Sequence, residues 1–170
     1  MEIELNVLVH NAEIVISRYA SKFGHKDSKT GGYLSIKTPG KHSIKLVQLI
    51  GQIHENHVDK TQKYKALSQE KADRISVFNN GNQIITSWDS RDPDNQKFGG
   101  AVYALPYCDD IISFSGFPEL DDELCMFAVI HLSQKGRTGR FLFLDDLRIL
   151  FSNRFNVPFP ELKFQELINS

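Results

Sequence analysis

Cysteine is scarce in this chain. The two that occur among its 170 residues, Cys108 and Cys125, are spaced neither as zinc ligands nor as a redox pair. Free thiols in a reducing cytoplasm are the expectation. Long apolar runs are missing too: none approaches the roughly 18 residues that span a bilayer, and the acidic, amphipathic start is not a signal peptide. No membrane partner is therefore expected. Charge of one sign is lacking as well. With 20 basic and 21 acidic residues the formal net charge is -1, which gives no electrostatic footprint for nucleic acid.

Catalytic signatures are absent in the same way. There is no Gly-x-Ser-x-Gly elbow, no glycine-lysine phosphate loop and no zinc-protease histidine pair. His54-Glu55-Asn56-His57, followed by Asp59, is the one metal-like cluster, and no third ligand stands near it. No metal site is assigned. Ser115, His131, Asp89 and Asp92 show no triad order and no acid pair, so no catalytic residue is assigned either.

What is present is an ordinary core-forming composition, 41% hydrophobic and 24% charged, on a chain long enough for one domain spanning 1–170. The densest apolar stretch runs from Phe98 to Lys135. Phe98 to Leu105, with Gly99-Gly100 near its start, reads as one strand. Ile111 to Phe114, bounded by turn residues, reads as a second and buried strand. Ser113, Ser115 and Gly116 then form a corner, with the serines as caps. Pro118 opens a helix whose first turns carry Glu119, Asp121, Asp122 and Glu123, suited to the helix dipole but repelling an anion at the corner. Six consecutive apolar residues, Cys125 to Ile130, mean that this helix is covered on most sides. His131 falls on its stripe with Leu120, Leu124, Phe127 and Ala128, as a core histidine would.

Elsewhere, residues 5–23 carry apolar side chains at helical spacing, ending near Gly24. Tyr33 to Lys37 reads as a short edge strand, Thr38-Pro39-Gly40 as a turn, and Ile44 to Ile53 as a helix. Asp59 to Arg74, with both charge signs and a thin apolar seam, reads as a surface helix. Ile75 to Phe78 and Gln83 to Trp88, flanking Asn79-Asn80-Gly81-Asn82, read as a hairpin. Asp89 to Lys97 is a polar loop and Lys135 to Arg140 a short basic one. Leu142 to Phe155 and Leu162 to Ile168 are amphipathic helices rich in phenylalanine. Helices, then strands, then helices define an α+β fold with a central, mostly antiparallel sheet of four or five strands flanked by helices.

Gly99-Gly100, Ile112, Ser115-Gly116, Pro118 and Asp121-Asp122-Glu123 together carry a resemblance. A glycine pair, a strand, a strand ending in Ser-Gly, a proline and an acidic helix start are similar to the C-terminal half of the GlcG/HbpS-type haem-binding and haem-degrading family. The likeness spans Ile75 to Gly136. It implies a profilin-like two- or three-layer sandwich, oligomer formation, and haem or another tetrapyrrole as ligand. That family carries a helix between its first strands and its Gly-Gly segment, whereas only the loop Asp89 to Lys97 is read at that place here. No haem ligand carries over. The expectation is a cytoplasmic small-ligand-binding or sensory module, with Gly99, Gly100, Ser113, Ser115, Gly116 and His131 as candidate ligand-binding residues. The alternative is a non-catalytic interaction or structural domain that acts as a homodimer, motivated by the apolar face of residues 5–23 and the phenylalanine-rich C-terminal end.

Overall fold

The computed structural model describes residues 2–78, 84–105, 107–135 and 144–169. It opens with helix α1 (Leu5–Tyr19), whose buried residues Leu8, Ala12, Val15, Ile16 and Tyr19 follow the helical period of the sequence. A wider turn, Ala20–Gly24, closes it. Strands β1 (Gly31–Lys37) and β2 (Leu46–Gly51) follow, then helix α2 (Thr61–Ser76). Strands β3 (Ile84–Thr86), β4 (Ala101–Ala104) and β5 (Ile111–Ser115) lead into helix α3 (Glu119–Ser133). Helices α4 (Leu144–Leu150) and α5 (Glu161–Ile168) end the chain.

The five strands form one antiparallel sheet in the order β2-β1-β5-β4-β3. The expected α+β architecture is what the chain adopts. β5 lies at the centre, between β1 and β4, as its unbroken burial requires. In α3 every residue from Asp122 to Ile130 is buried, so the covering expected of it holds.

Pairing fixes which side chains share a face. Tyr33 lies opposite Ser115, Ser35 opposite Ser113 and Lys37 opposite Ile111, so these six point to one side of the sheet, where α2 packs. Leu34, Ile36, Ile112 and Phe114 point to the other, into the main core with α1 and α3. Phe151, Phe155 and Phe164 of the C-terminal segment join that core.

Four expectations are corrected. Tyr33 to Lys37 is not an edge strand, since β1 is paired on both sides. Residues 46–51 are a strand rather than a helix. The spacing of Leu46, Leu49, Ile50 and Ile53 fits both periods over so short a window, and Gly51, at φ +71, leaves the helical region. Ile75 and Ser76 are the last turn of α2, not a strand, because the stripe Tyr64, Ser68, Lys71, Ala72, Ile75 continues at helical spacing. The proposed hairpin thus loses its first arm, and its Asn-Gly turn lies outside the described residues, as does most of the basic loop after Lys135. Finally, the serines do not cap α3. Its N-cap is Pro118, and Asp122 instead accepts the Phe117 N–H at 2.9 Å.

Candidate functional site

Helix α2 is more than a surface helix. Lys71, on its buried stripe, is 1% exposed. Its ammonium donates to the Phe114 carbonyl at 2.9 Å and to Asp122 Oδ2 at 3.0 Å, an ion pair that joins α2, β5 and α3. Asp122 is 2% exposed, and its other oxygen holds the Phe117 N–H. Burial pushes the Asp122 carboxyl up to about 7, with Lys71 and the Phe117 amide acting against it. The next residue, Glu123, is fully buried. It accepts the Gly100 N–H and is pushed up to about 8 by burial.

This pair forms the floor of a cleft of about 290 Å³ between the N-terminal ends of α2 and α3. Tyr64, Leu67, Phe98 and Phe117 give it apolar walls, and Ser115 adds a hydroxyl. Its rim is cationic: Lys29, Lys60 and Lys63 line the opening. Lys29 Nζ reaches the Tyr64 hydroxyl at 3.0 Å. Lys60 and Lys63 are exposed, and no ion pair among the described residues holds either one. They sit at the start of a 16-residue helix with no acid in its first turn and no side-chain cap. Cations there oppose the helix dipole.

The acids at the start of α3, expected to repel an anion, are all engaged. Asp122 faces Lys71. Asp121 accepts from Lys163 at 2.9 Å and from the Tyr19 hydroxyl at 2.5 Å. Glu119 lines the cleft but pairs with Arg91, whose guanidinium lies 4.9 Å from the Trp88 ring centroid. The cleft therefore presents lysine charge that its own carboxylates do not cancel at the rim.

Of the six candidate residues, the structure gathers some and separates others. Ser115 lines the cleft. Gly100 lies directly beneath its floor at φ +121, where a Cβ would come within 2.7 Å of Lys71 Nζ and of the Phe114 carbonyl oxygen. Gly99 packs on Trp88 and Glu123, and Gly116 on the backbone of Gly31 and Gly32. Ser113 is buried deeper along β5, and among the described residues its Oγ has no hydrogen-bond partner. His131 lies nine residues beyond Asp122, about 13 Å along the axis of α3 at the usual helical rise. Its ring meets Phe164 of α5 edge-on at 5.8 Å, so it is not part of this site. Lys29, Lys60, Lys63, Tyr64, Lys71 and Asp122 were not singled out from the sequence as site residues. Two signals pointed to them: Lys71 recurs on the Tyr64–Ser68–Ala72–Ile75 stripe, and α2 opens on lysines without an acid.

A larger cleft, about 690 Å³, lies at the other end of α2 between Lys37, His42, Asp73 and Phe78. It holds no buried ion pair of the Lys71–Asp122 kind; its Lys37–Asp73 pair is half exposed. Cys108 and Cys125 are buried, with burial pushing both thiols up, so neither is poised for thiolate chemistry. Among the described residues no group of histidine, cysteine and carboxylate is arranged to hold a metal, and no helix is long and apolar enough to cross a membrane. Comparison with family models, with curated proteins and with solved structures finds no match for this chain.

Proposed function

We propose that this chain is a cytoplasmic small-ligand-binding or sensory module, and that the cleft over Lys71–Asp122 takes a compact anion with an apolar body, such as an aromatic carboxylate. The observation that carries this reading is the cationic rim, Lys29, Lys60 and Lys63, set over aromatic walls and a buried ion pair. Its volume of about 290 Å³ stands at the small end of the roughly 300–1,000 Å³ of small-molecule sites. Lysines at the opening attract the charged end, and Tyr64, Phe98 and Phe117 cover the rest.

The likeness to the GlcG/HbpS-type family offers haem or another tetrapyrrole as a specific candidate. Between β3 and Gly99, where that family carries a helix, this chain has only the short turns Ser87–Ser90 and Pro93–Asn95. The cleft suits the propionates of such a ligand better than its iron. Its described lining holds no histidine, cysteine or methionine, and its two carboxylates, Asp122 and Glu119, are engaged by Lys71 and Arg91. A compact metal-free anion is therefore the better fit.

Two titrations test this: benzoate followed by calorimetry, and haemin followed at its Soret band. The expected result is one-to-one binding of benzoate that the double variant Lys60→Glu, Lys63→Glu weakens at least tenfold, about 1.4 kcal/mol. A haemin spectrum unchanged at micromolar concentration removes the tetrapyrrole. Silence in both titrations, or affinity indifferent to the charge reversal, overturns the reading.

A further inference from the structure

The two edges of the sheet are finished differently. Among the described residues β3 lies at one edge and has three residues, and the Arg154 guanidinium, anchored on Asp89, donates to its Ile84 carbonyl at 2.6 Å. A short strand whose carbonyl is already taken gives a second chain little to pair with. β2, at the other edge, has six residues, Leu46–Gly51, with no charge, no proline and a single neighbour, β1, among the described residues. Its Leu49 is 43% exposed. From Leu46 to Ile50, ahead of the positive-φ Gly51, this uncharged edge leaves a row of backbone N–H and C=O groups directed outward, with obligatory hydrogen-bonding needs.

We infer that β2 pairs with β2 of a second copy of this chain, joining the two five-stranded sheets into one antiparallel sheet. The sequence of the strand selects this occupant. Around a two-fold axis at Gln48, Val47 meets Leu49 and Leu46 meets Ile50, so every apolar residue faces an apolar residue and Gln48 faces itself. Lys45 meets Gly51, so no like charges are opposed. Lys45 is also drawn back toward its own chain by Asp110, at 2.9 Å. On one face of the joined sheet, Val47 and Leu49 of the two copies form a continuous apolar strip beside Tyr33 and Ser35. Edge pairing of this kind gives affinity through main-chain hydrogen bonds and belongs to the weaker class of interface.

Sedimentation of the full chain at about 100 µM, a concentration that populates micromolar complexes, reads the outcome. The expected species is twice the 19.4 kDa monomer. Leu49→Lys, at a half-exposed position, places a cation against the partner's Val47 and returns the chain to monomer with its circular dichroism unchanged. As a positive test, Gln48→Cys stands on the axis and forms an intermolecular disulfide under mild oxidation. Leu162→Cys, 84% exposed on α5, does not. A strict monomer, or a dimer that Leu49→Lys leaves intact and Gln48→Cys fails to cross-link, overturns the inference. A monomer that binds an unrelated extended peptide along β2 overturns the second copy as its occupant.

Discussion

One side of the sheet carries Leu34, Ile36, Ile112 and Phe114; the other carries Tyr33, Ser35, Lys37, Ser113 and Ser115. The first side meets α1 and α3 in a large apolar core where stacked and tilted rings, such as Tyr19 on Phe117 at 4.0 Å, fill space. The second meets α2 around a small apolar cluster of Ala72, Ile75, Ile85, Ala101, Tyr103 and Ile111. The rest of that contact is polar: Ser35 bonds Ser68 at 2.8 Å, Lys37 pairs with Asp73 and Lys71 with Asp122. Area burial holds the first side together without regard to partners. The second is stable only while each buried polar group keeps the group it faces. That makes it the more specific contact, and it is also where the cleft opens.

The largest effect separates these two kinds of interior. Phe127→Ala opens a hole in the apolar core and costs about 3–5 kcal/mol. Lys71→Ala costs a similar 3–5 kcal/mol for another reason, because it strands the Asp122 carboxylate without its cation. The distinction appears on the second substitution. Adding Asp122→Asn to Lys71→Met removes both charges, keeps an acceptor for the Phe117 N–H and returns most of the loss, since a buried pair is replaced by neutral groups at little net cost. No neighbouring truncation returns the loss at Phe127. Urea denaturation of these three variants measures this. A double variant as unstable as Lys71→Ala would show that the pair itself, not the orphaned charge, holds α2 in place.

The two sides also differ in how much of them the sequence disclosed. α3 was readable because six consecutive apolar residues have one physical interpretation, burial on most sides. β5 was readable because turn residues bound its apolar run. α2 was not. A buried lysine is spelled like a surface lysine, and only its place on the Tyr64–Ala72–Ile75 stripe tells them apart. Asp122, beside three other acids, likewise looks like dipole decoration until β5 and Lys71 are placed against it. The strand at Leu46–Gly51 was misread because its pairing with β1 is non-local, and six residues do not distinguish the two periods. Ser115 and Gly100 emerged near the cleft because a corner and a glycine pair are local features. The lysines that complete it come from two separate segments, the loop at Lys29 and helix α2 with Lys60, Lys63 and Lys71, which only the fold brings together.

A smaller effect sharpens the comparison through pH. In the folded chain burial raises Glu123 from 4.5 to about 8. Between those values the unfolded chain has released a proton that the folded chain keeps, so the unfolded state binds fewer protons and stability falls as pH rises. The contribution is complete below pH 4.5 and disappears through pH 8. The slope approaches about 1.4 kcal/mol per pH unit where one such group titrates alone. Asp122, raised in the same sense, adds to it, though Lys71 opposes the rise. Glu123→Gln keeps an acceptor for the Gly100 N–H and removes the titration. Stability measured from pH 5 to 8 therefore declines less steeply in this variant than in the parent chain. An unaltered slope would assign the decline to other groups.

The smallest effect concerns a single oxygen. Ser113 stands opposite Ser35 across the β1–β5 ladder, and the two hydroxyls face the same helix. Ser35 Oγ has found Ser68 at 2.8 Å; Ser113 Oγ has no partner among the described residues. A buried hydroxyl with no partner has lost its water and gained no bond in return, a deficit of about 1–3 kcal/mol against a satisfied one. Ser113→Ala removes the deficit and leaves a space of one atom, so the variant is as stable as the parent or better by up to about 1 kcal/mol. Ser35→Ala takes a bond from Ser68 and costs about 1 kcal/mol. Ser113 does not line the cleft, so benzoate affinity is unchanged by the same substitution. A destabilised Ser113→Ala, or one that binds benzoate more weakly, would mean that this hydroxyl has a partner on the polar side of the sheet, and that the cleft extends inward along β5 to meet it.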